Sequence, residues 1–322
     1  MEQQHDHIPL EETYNLFGPT DAGMFTALFY AFNTIISLQA FGDEATCRAA
    51  FDAARQRCRY FEQHFSRTLD HSDIALLNAA RGSTVALAAE TYEVLLAAQH
   101  YCEASEGCFD ITMGAVVRLW DFTAQHIPSR LELDAALTHV NWRNLKLWED
   151  GGSFFARLND PETAVDVGGM AKGYIADQLT DTLLAGGLAS FIVNLGGNAV
   201  AHGRKPDGSA WRIGLQDPHN KEQILQVLEV ANASAVTSGV YERCFTKEGH
   251  FYHHILSTTD GMPVQTDVAG VTIVAPHSAD CDGFSTTLLA LGIKEGVTFA
   301  RRRPEITQAY FVDMNNKVTS AY

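Results

Sequence analysis

Apolar and polar residues recur along the chain in two different periods, and the changes of period mark the elements. Residues 22–42 hold no charged side chain, and within them Ile35-Ile36-Ser37-Leu38-Gln39-Ala40-Phe41 partly alternates as a half-buried strand does. The run is just long enough to cross a bilayer. However, Thr26, Asn33, Thr34, Ser37 and Gln39 interrupt it and no basic residue flanks it closely, so it reads as strands of a sheet. From residue 44 the period lengthens. Ala49, Phe51, Ala54, Cys58, Phe61 and Phe65 recur at helical spacing and predict an amphipathic helix over 44–65. A second helix is expected over 83–104, opened by a small hydroxyl residue, carrying Leu87, Thr91, Val94, Leu95, Ala98 and Cys102 inward, and closed by Gly107. Two more follow glycine-rich turns, over 171–184 and 279–291. Short strands are expected at 154–158, 190–195, 211–215, 226–230, 250–255 and 271–275. Residues 1–20 read as a polar lead-in, with structure expected to begin near Met24. Helices and strands are interspersed without a regular β-α-β period. The expected fold is therefore α+β, with mixed, largely antiparallel sheets and packed helices, and residues 21–322 are expected to form a single domain.

Composition adds exclusions. At 46% hydrophobic and 19% charged residues the chain has ordinary globular usage, which excludes intrinsic disorder. With 23 Lys and Arg against 39 Asp and Glu it would repel a phosphate backbone over most of its surface, so no nucleic-acid partner is expected. A local basic site for a compact phosphorylated ligand is still compatible with that balance. Cys47, Cys58, Cys102, Cys108, Cys244 and Cys281 are scattered without a C-x-x-C pair, which points to a reducing compartment. The opening Met1-Glu-Gln-Gln-His-Asp-His lacks the basic and apolar regions of an export signal, so a cytoplasmic protein with no membrane partner is expected.

Five motifs carry candidate chemistry. Asp166-Val-Gly-Gly-Met-Ala-Lys-Gly173 stands between a strand and a helix, where free N–H groups and Lys172 would favour phosphate; its plain reading is a turn. Asn194-Leu-Gly-Gly-Asn198 and Thr237-Ser-Gly-Val-Tyr-Glu-Arg243 are either tight turns beside a pocket, with Asn194 and Ser238 offering hydrogen bonds, or strand ends. In Tyr252-His-His254 the two imidazoles of a strand face opposite ways, so one can serve a pocket as a base while the other is structural. Asp282 and Thr286, four apart on a helix, present a carboxylate and a hydroxyl suited to Mg²⁺. Alternatively, Asp282 offsets the helix dipole from the first turn and Thr286 bonds back to a carbonyl.

In their order and spacing these motifs resemble one family over residues 32–292. The chain is similar to the ApbE-type flavin transferases, the FAD:protein FMN transferases. The matching segments are Phe65-Ser-Arg through Ser72-Asp-Ile-Ala-Leu-Leu-Asn78, Glu106-Gly-Cys-Phe-Asp-Ile-Thr112, residues 166–177 (D-V-G-G-M-A-K-G-Y-I-A-D), Val193-Asn-Leu-Gly-Gly197, Thr237-Ser-Gly239, Tyr252-His-His-Ile255 and residues 282–286 (D-G-F-S-T). The resemblance implies an α+β fold that binds FAD and Mg²⁺, moves the FMN half to a Thr or Ser hydroxyl of a target flavoprotein, and releases AMP. By the same resemblance Asp282, Thr286 and the Gly169 carbonyl hold the metal, and His254 activates the acceptor hydroxyl. Lys172, Asp110, Asp166, Cys108, Phe109, Phe32, Leu256 and Ser238 fall on the FAD-binding positions. The chain departs from the family at Ser257, where Asp commonly follows His-Ile, and at Asn198, where Asp is common after Gly-Gly; Asp260 lies three positions beyond the missing carboxylate. Hydrolysis of FAD to FMN and AMP, or flavin and metal binding without turnover, are the alternative functions.

Overall fold

A computed structural model describes residues 14–322; of the polar lead-in, residues 1–13 lie outside the described residues. The uncharged run folds as a hairpin, Met24–Ala31 against Thr34–Phe41. Its alternation decides the facing: Phe25, Ala27, Phe29, Ile36, Leu38 and Ala40 are buried, while their neighbours are partly exposed. An edge strand, Asn15–Phe17, precedes it, so structure starts before Met24. The hairpin belongs to a nine-stranded sheet completed by Phe191–Leu195, Asn198–His202, Ala233–Gly239, Val268–Ala275, Gln308–Asp313 and Val318–Ser320. The nine strands lie side by side in chain order and each neighbouring pair is antiparallel. This is the α+β arrangement expected from the mixed periods.

One face of the sheet packs on the helices Glu44–Phe65, Ala171–Ala185 and Ser278–Ala300 in the main core. The other face is covered by a ribbon, Trp211–Asp217 with Asn220–Val230, over Ala201, Ala235 and Val274. Val268–Ala275 is accordingly buried along its whole length. A three-stranded sheet, Val85–Leu87, Ser153–Leu158 and Leu145–Asp150, lies beside the helix Ala89–Ala104. A separate apolar cluster of Met113, Val116, Trp120, Leu133 and Phe245 supports the hairpin Cys244–Lys247 and His250–His253. Among the described residues no helix is long and apolar enough to cross a membrane.

Several boundaries differ from the sequence expectation. The helix expected over 83–104 begins at Ala89, because residues 85–87 pair with 154–156 and Leu87 is buried as a strand residue. The helix expected over 279–291 starts at Ser278 and runs to Ala300, bending at Gly292 (φ 76°). The strand expected over 250–255 stops at His253.

Candidate active site

The site forms where two helix N-termini meet. Ala171–Ala185 and Ser278–Ala300 approach so closely that a Cβ on Gly173 would lie 2.4 Å from the Ser278 carbonyl oxygen and 2.6 Å from Asp282 Cβ, so only glycine fits there. Neither helix has a side-chain cap of its own, at Met170 or at His277. Each is capped from the other helix instead. The Ser278 and Ala279 N–H groups donate to the two oxygens of Asp177 (2.8 and 2.9 Å), and the Gly173 N–H donates to Asp282 Oδ2 (2.8 Å). Such bonds satisfy first-turn donors and place negative charge at a positive helix end.

This crossing corrects the plain reading of Asp282. The first-turn acid of its own helix is Asp280, and Asp282 serves the opposite helix. Thr286 does not bond back to a carbonyl; that bond is made by Ser285, whose hydroxyl donates to the Asp282 carbonyl (3.0 Å) and accepts from Ser238 (2.7 Å). Ser238 thus ties its strand to the turn that carries Asp282. Because the Gly173 N–H is taken by Asp282, it does not bond to Gly169, whose carbonyl accepts no hydrogen bond among the described residues. Burial raises the Asp282 pKa, opposed by the Lys172 charge, the Gly173 N–H and the Asn198 side chain. Asn198 is 1% exposed, and its Nδ2 has no hydrogen-bond partner among the described residues.

The two histidines separate, although only His253 lies in the strand. His253 is buried with both ring nitrogens engaged: Nε2–H donates to the Val264 carbonyl (3.2 Å) and Nδ1 accepts from the Ile255 N–H (3.3 Å). His254 is only partly buried. A carbonyl can only accept, so its contact with the Arg243 oxygen (3.3 Å) fixes the proton on Nδ1 and leaves the Nε2 lone pair free. Burial, followed by the Arg243 charge, pushes the His254 pKa down to about 4, with smaller contributions from His253 and Lys172. Lys172, which forms no ion pair among the described residues, therefore acts electrostatically on both Asp282 and His254.

The main-chain carbonyl of Arg243 orients the imidazole. Ser257 caps its own turn, accepting from the Thr259 and Asp260 N–H groups (3.1 and 3.3 Å). Asp260 accepts from the Met262 N–H (3.1 Å), so its carboxylate serves this turn.

The Phe109 ring lies under Gly169, 3.1 Å from where a Cβ would stand. Asp166 Oδ1 caps the Gly168 N–H (2.8 Å), and Oδ2 pairs with Arg67 (3.4 Å). Asp110 uses both oxygens inside the protein, accepting from Thr112 N–H and hydroxyl (2.8 and 2.6 Å) and from the Trp142 N–H (3.0 Å). It shapes the loop that carries Cys108 and Phe109. Thr258 donates to the Gly107 carbonyl (2.9 Å), joining that loop to the segment containing Leu256. Phe32 occupies the turn of the first hairpin, with its N–H bonded to Glu62 (2.8 Å). The neighbouring Thr34 abuts Gly196 in the Gly196-Gly197 turn that leads to Asn198. Three supports were not assigned from sequence: Asp177, Arg67, and Asn78, which bonds both the N–H and the carbonyl of Val165 (2.7 and 2.9 Å). All three lie inside quoted motifs, but the partners that define them are distant in sequence.

The second oxygen of Asp282, the Thr286 hydroxyl and the Gly169 carbonyl are hard oxygen donors, and they fit Mg²⁺ better than a softer metal. Among the described residues no group of three His, Cys, Asp or Glu is placed to hold an ion alone, so phosphate oxygens would have to complete such a site.

Fold and donors together define an α+β scaffold in which two crossed helix N-termini bring hard oxygen donors and a lysine into one region. The sequence pattern of the ApbE family matches residues 32–311. The FAD:protein FMN transferase of Treponema pallidum (strain Nichols) is 33% identical over 292 residues, 86% of this chain and 80% of the relative. The crystal structure of the ApbE protein of Thermotoga maritima matches with a TM-score of 0.83 at 25% identity, covering 95% of this chain and 96% of that one. The apo form of the flavinyl transferase ApbE of Pseudomonas stutzeri matches with a TM-score of 0.79 at 26% identity, covering 96% and 94%. The chain belongs to the ApbE family of flavin transferases.

Proposed function

We propose that this protein moves the FMN half of FAD to a Thr or Ser hydroxyl of a target flavoprotein and releases AMP, with residues 21–322 acting as one catalytic domain. What supports the reading is unused bonding capacity: among the described residues Asp282 is bonded through Oδ2 only and His254 through Nδ1 only, and Lys172, which forms no ion pair there, carries the charge that would favour an anionic substrate. Such a transfer requires positioning and charge neutralisation around a phosphorus centre. Asp282, Thr286 and the Gly169 carbonyl would hold Mg²⁺, which when bound neutralises charge on pyrophosphate oxygens.

The chain's own residues supply the rest. The free Nε2 of His254 takes the proton as the acceptor oxygen bonds to the flavin-side phosphorus, and the bond to the AMP phosphate breaks. A base with its pKa near 4 is unprotonated at neutral pH, so the imidazole is ready before the acceptor arrives. Lys172 faces the anionic substrate. Phe109, Phe32 and Leu256 offer apolar surface for the rings; Cys108, Asp166 and Ser238 complete the FAD side, and Asp110 acts through the loop it holds. Six free cysteines support a reducing, cytoplasmic setting.

Incubation with FAD and Mg²⁺, with and without a flavoprotein acceptor, tests the reading. AMP release and covalent flavin that both depend on the acceptor support transfer. Equal AMP release without it would replace transfer by hydrolysis.

A further inference from the structure

The hairpin Cys244–Lys247 with His250–His253 pairs Cys244 with His253 and Phe245 with Tyr252. Its register runs one position further, since the His254 N–H donates to the Arg243 carbonyl (3.1 Å). Arg243 and His254 are thus cross-strand neighbours, and residues directly opposite one another project from the same face of a ribbon with Cβ atoms about 4.5–5.5 Å apart. The next pair along fixes that face. Phe245 and Tyr252 stack with ring centres 5.1 Å apart, and Tyr252 leans on Trp120 (6.1 Å). Cys244 and His253 take the opposite face.

Arg243 is exposed, and among the described residues its guanidinium forms neither an ion pair nor a hydrogen bond. Its donors are free for a ligand. A guanidinium presents a planar fork of N–H groups that matches two oxygens of one phosphate, and its charge does not titrate away at any ordinary pH. His254 indicates which phosphate. When Nε2 takes the proton of an acceptor oxygen that is bonding to the flavin-side phosphorus, the non-bridging oxygens of that phosphorus lie one bond beyond, within the span of a neighbouring arginine side chain. Lys172 and the oxygen donors approach from the helix ends, whereas Arg243 approaches from the hairpin. We propose that Arg243 is a catalytic residue that binds the flavin-side phosphate of FAD, its guanidinium donating to the non-bridging oxygens of the phosphorus that receives the acceptor hydroxyl. This rests on the proposed role of His254 and adds a second cation to the hairpin side of the site.

Equilibrium binding of FMN and of riboflavin to the full chain, followed by flavin fluorescence, separates a phosphate contact from a ring contact without turnover. Arg243→Ala keeps the main-chain carbonyl that holds His254 and removes an exposed, unpaired side chain, so it should melt at the wild-type temperature. It is expected to weaken FMN binding by about tenfold or more, with Arg243→Lys in between, and to leave riboflavin binding within about twofold. With FAD and acceptor both saturating, Arg243→Ala should slow transfer by about a hundredfold, the usual cost of losing a donor aimed at developing charge. Equal affinity of the wild-type protein for FMN and riboflavin, equal losses of the two in Arg243→Ala, or FMN binding unchanged by the substitution would each overturn the assignment. So would a transfer defect that disappears at saturating acceptor, since Arg243 would then contact the acceptor protein instead. A wild-type protein that held FMN through Arg243 but transferred no flavin would overturn the proposed function and support the phosphate contact alone.

Discussion

Asp177 and Asp282 occupy equivalent places, each in the first two turns of one helix and capping the start of the other, yet they differ in what they have left to give. Asp177 has a main-chain N–H on each oxygen, whereas Asp282 has one on Oδ2 only. The same contrast separates the histidines: both nitrogens of His253 are engaged, and Nε2 of His254 is free. Burial and perturbed ionisation do not distinguish the members of either pair, because they affect all four residues. Unused bonding capacity does, and under the proposed function it marks the member of each pair that faces the chemistry.

Substitutions can break this comparison, and the largest effect is expected at Asp282. Asp282→Ala should reduce FAD turnover at ordinary Mg²⁺ by about a thousandfold or more, several kcal/mol of lost charge stabilisation. It should also lower folding stability by about 1–2 kcal/mol, because the Gly173 N–H loses its cap. Turnover against Mg²⁺ concentration and denaturant unfolding read the two effects separately.

His254→Ala should retain FAD affinity and slow transfer by about a hundredfold or more, the usual cost of losing a general base. His253→Ala should instead reduce stability, with turnover of the folded fraction changed far less. Equal losses of transfer from both would make the histidine pair a structural element of the pocket. Thr286→Ala removes a neutral donor and should raise the Mg²⁺ requirement by about tenfold, less than Asp282→Ala, in the same titration.

The smallest effects are in the pH dependence of stability. Burial holds the Asp177 pKa up to about 6, above the ordinary carboxylate value of 3.8. The folded protein binds that proton more tightly, so the contribution is full below pH 3.8 and is lost as pH rises through about 6. Asp177→Asn should flatten that decline. His254 runs the other way: with its pKa pushed from 6.5 to about 4, its contribution is present above pH 6.5 and is lost as pH falls through about 4. His254→Ala should remove that acid-side loss. Unfolding curves between pH 4 and 7 show both slopes.

What the sequence revealed follows the range of the interactions. The helix Glu44–Phe65 and the hairpin over 24–41 were legible because their periods are long and regular. Residues 85–87 were not, since three residues carry no period and pairing with 154–156 decides them. Asn198–His202 and Ala233–Gly239 were hidden by small residues that give weak strand signals. At the candidate site, the glycine-rich turn and the carboxylate-hydroxyl pair could be picked out from sequence as candidates. The crossed caps could not, because Asp177 and Asp282 meet N–H groups 101 and 109 residues away. The Arg243 carbonyl that orients His254 leaves no side-chain signature at all.

The central claim is that the unengaged oxygen of Asp282, and not burial or capping as such, sets the chemistry apart. Its most direct test is covalent flavin appearance on an acceptor protein, measured for Asp177→Asn and Asp282→Asn at equal folded fraction with unfolding followed in parallel. An amide oxygen at 282 still accepts from the Gly173 N–H, whereas an amide at 177 sets its NH₂ against one of two N–H groups. The account predicts that Asp282→Asn stays close to wild-type stability and loses transfer at every Mg²⁺ concentration, while Asp177→Asn keeps transfer per folded molecule. Transfer by Asp282→Asn with the wild-type Mg²⁺ dependence, or loss of transfer confined to Asp177→Asn, would contradict it.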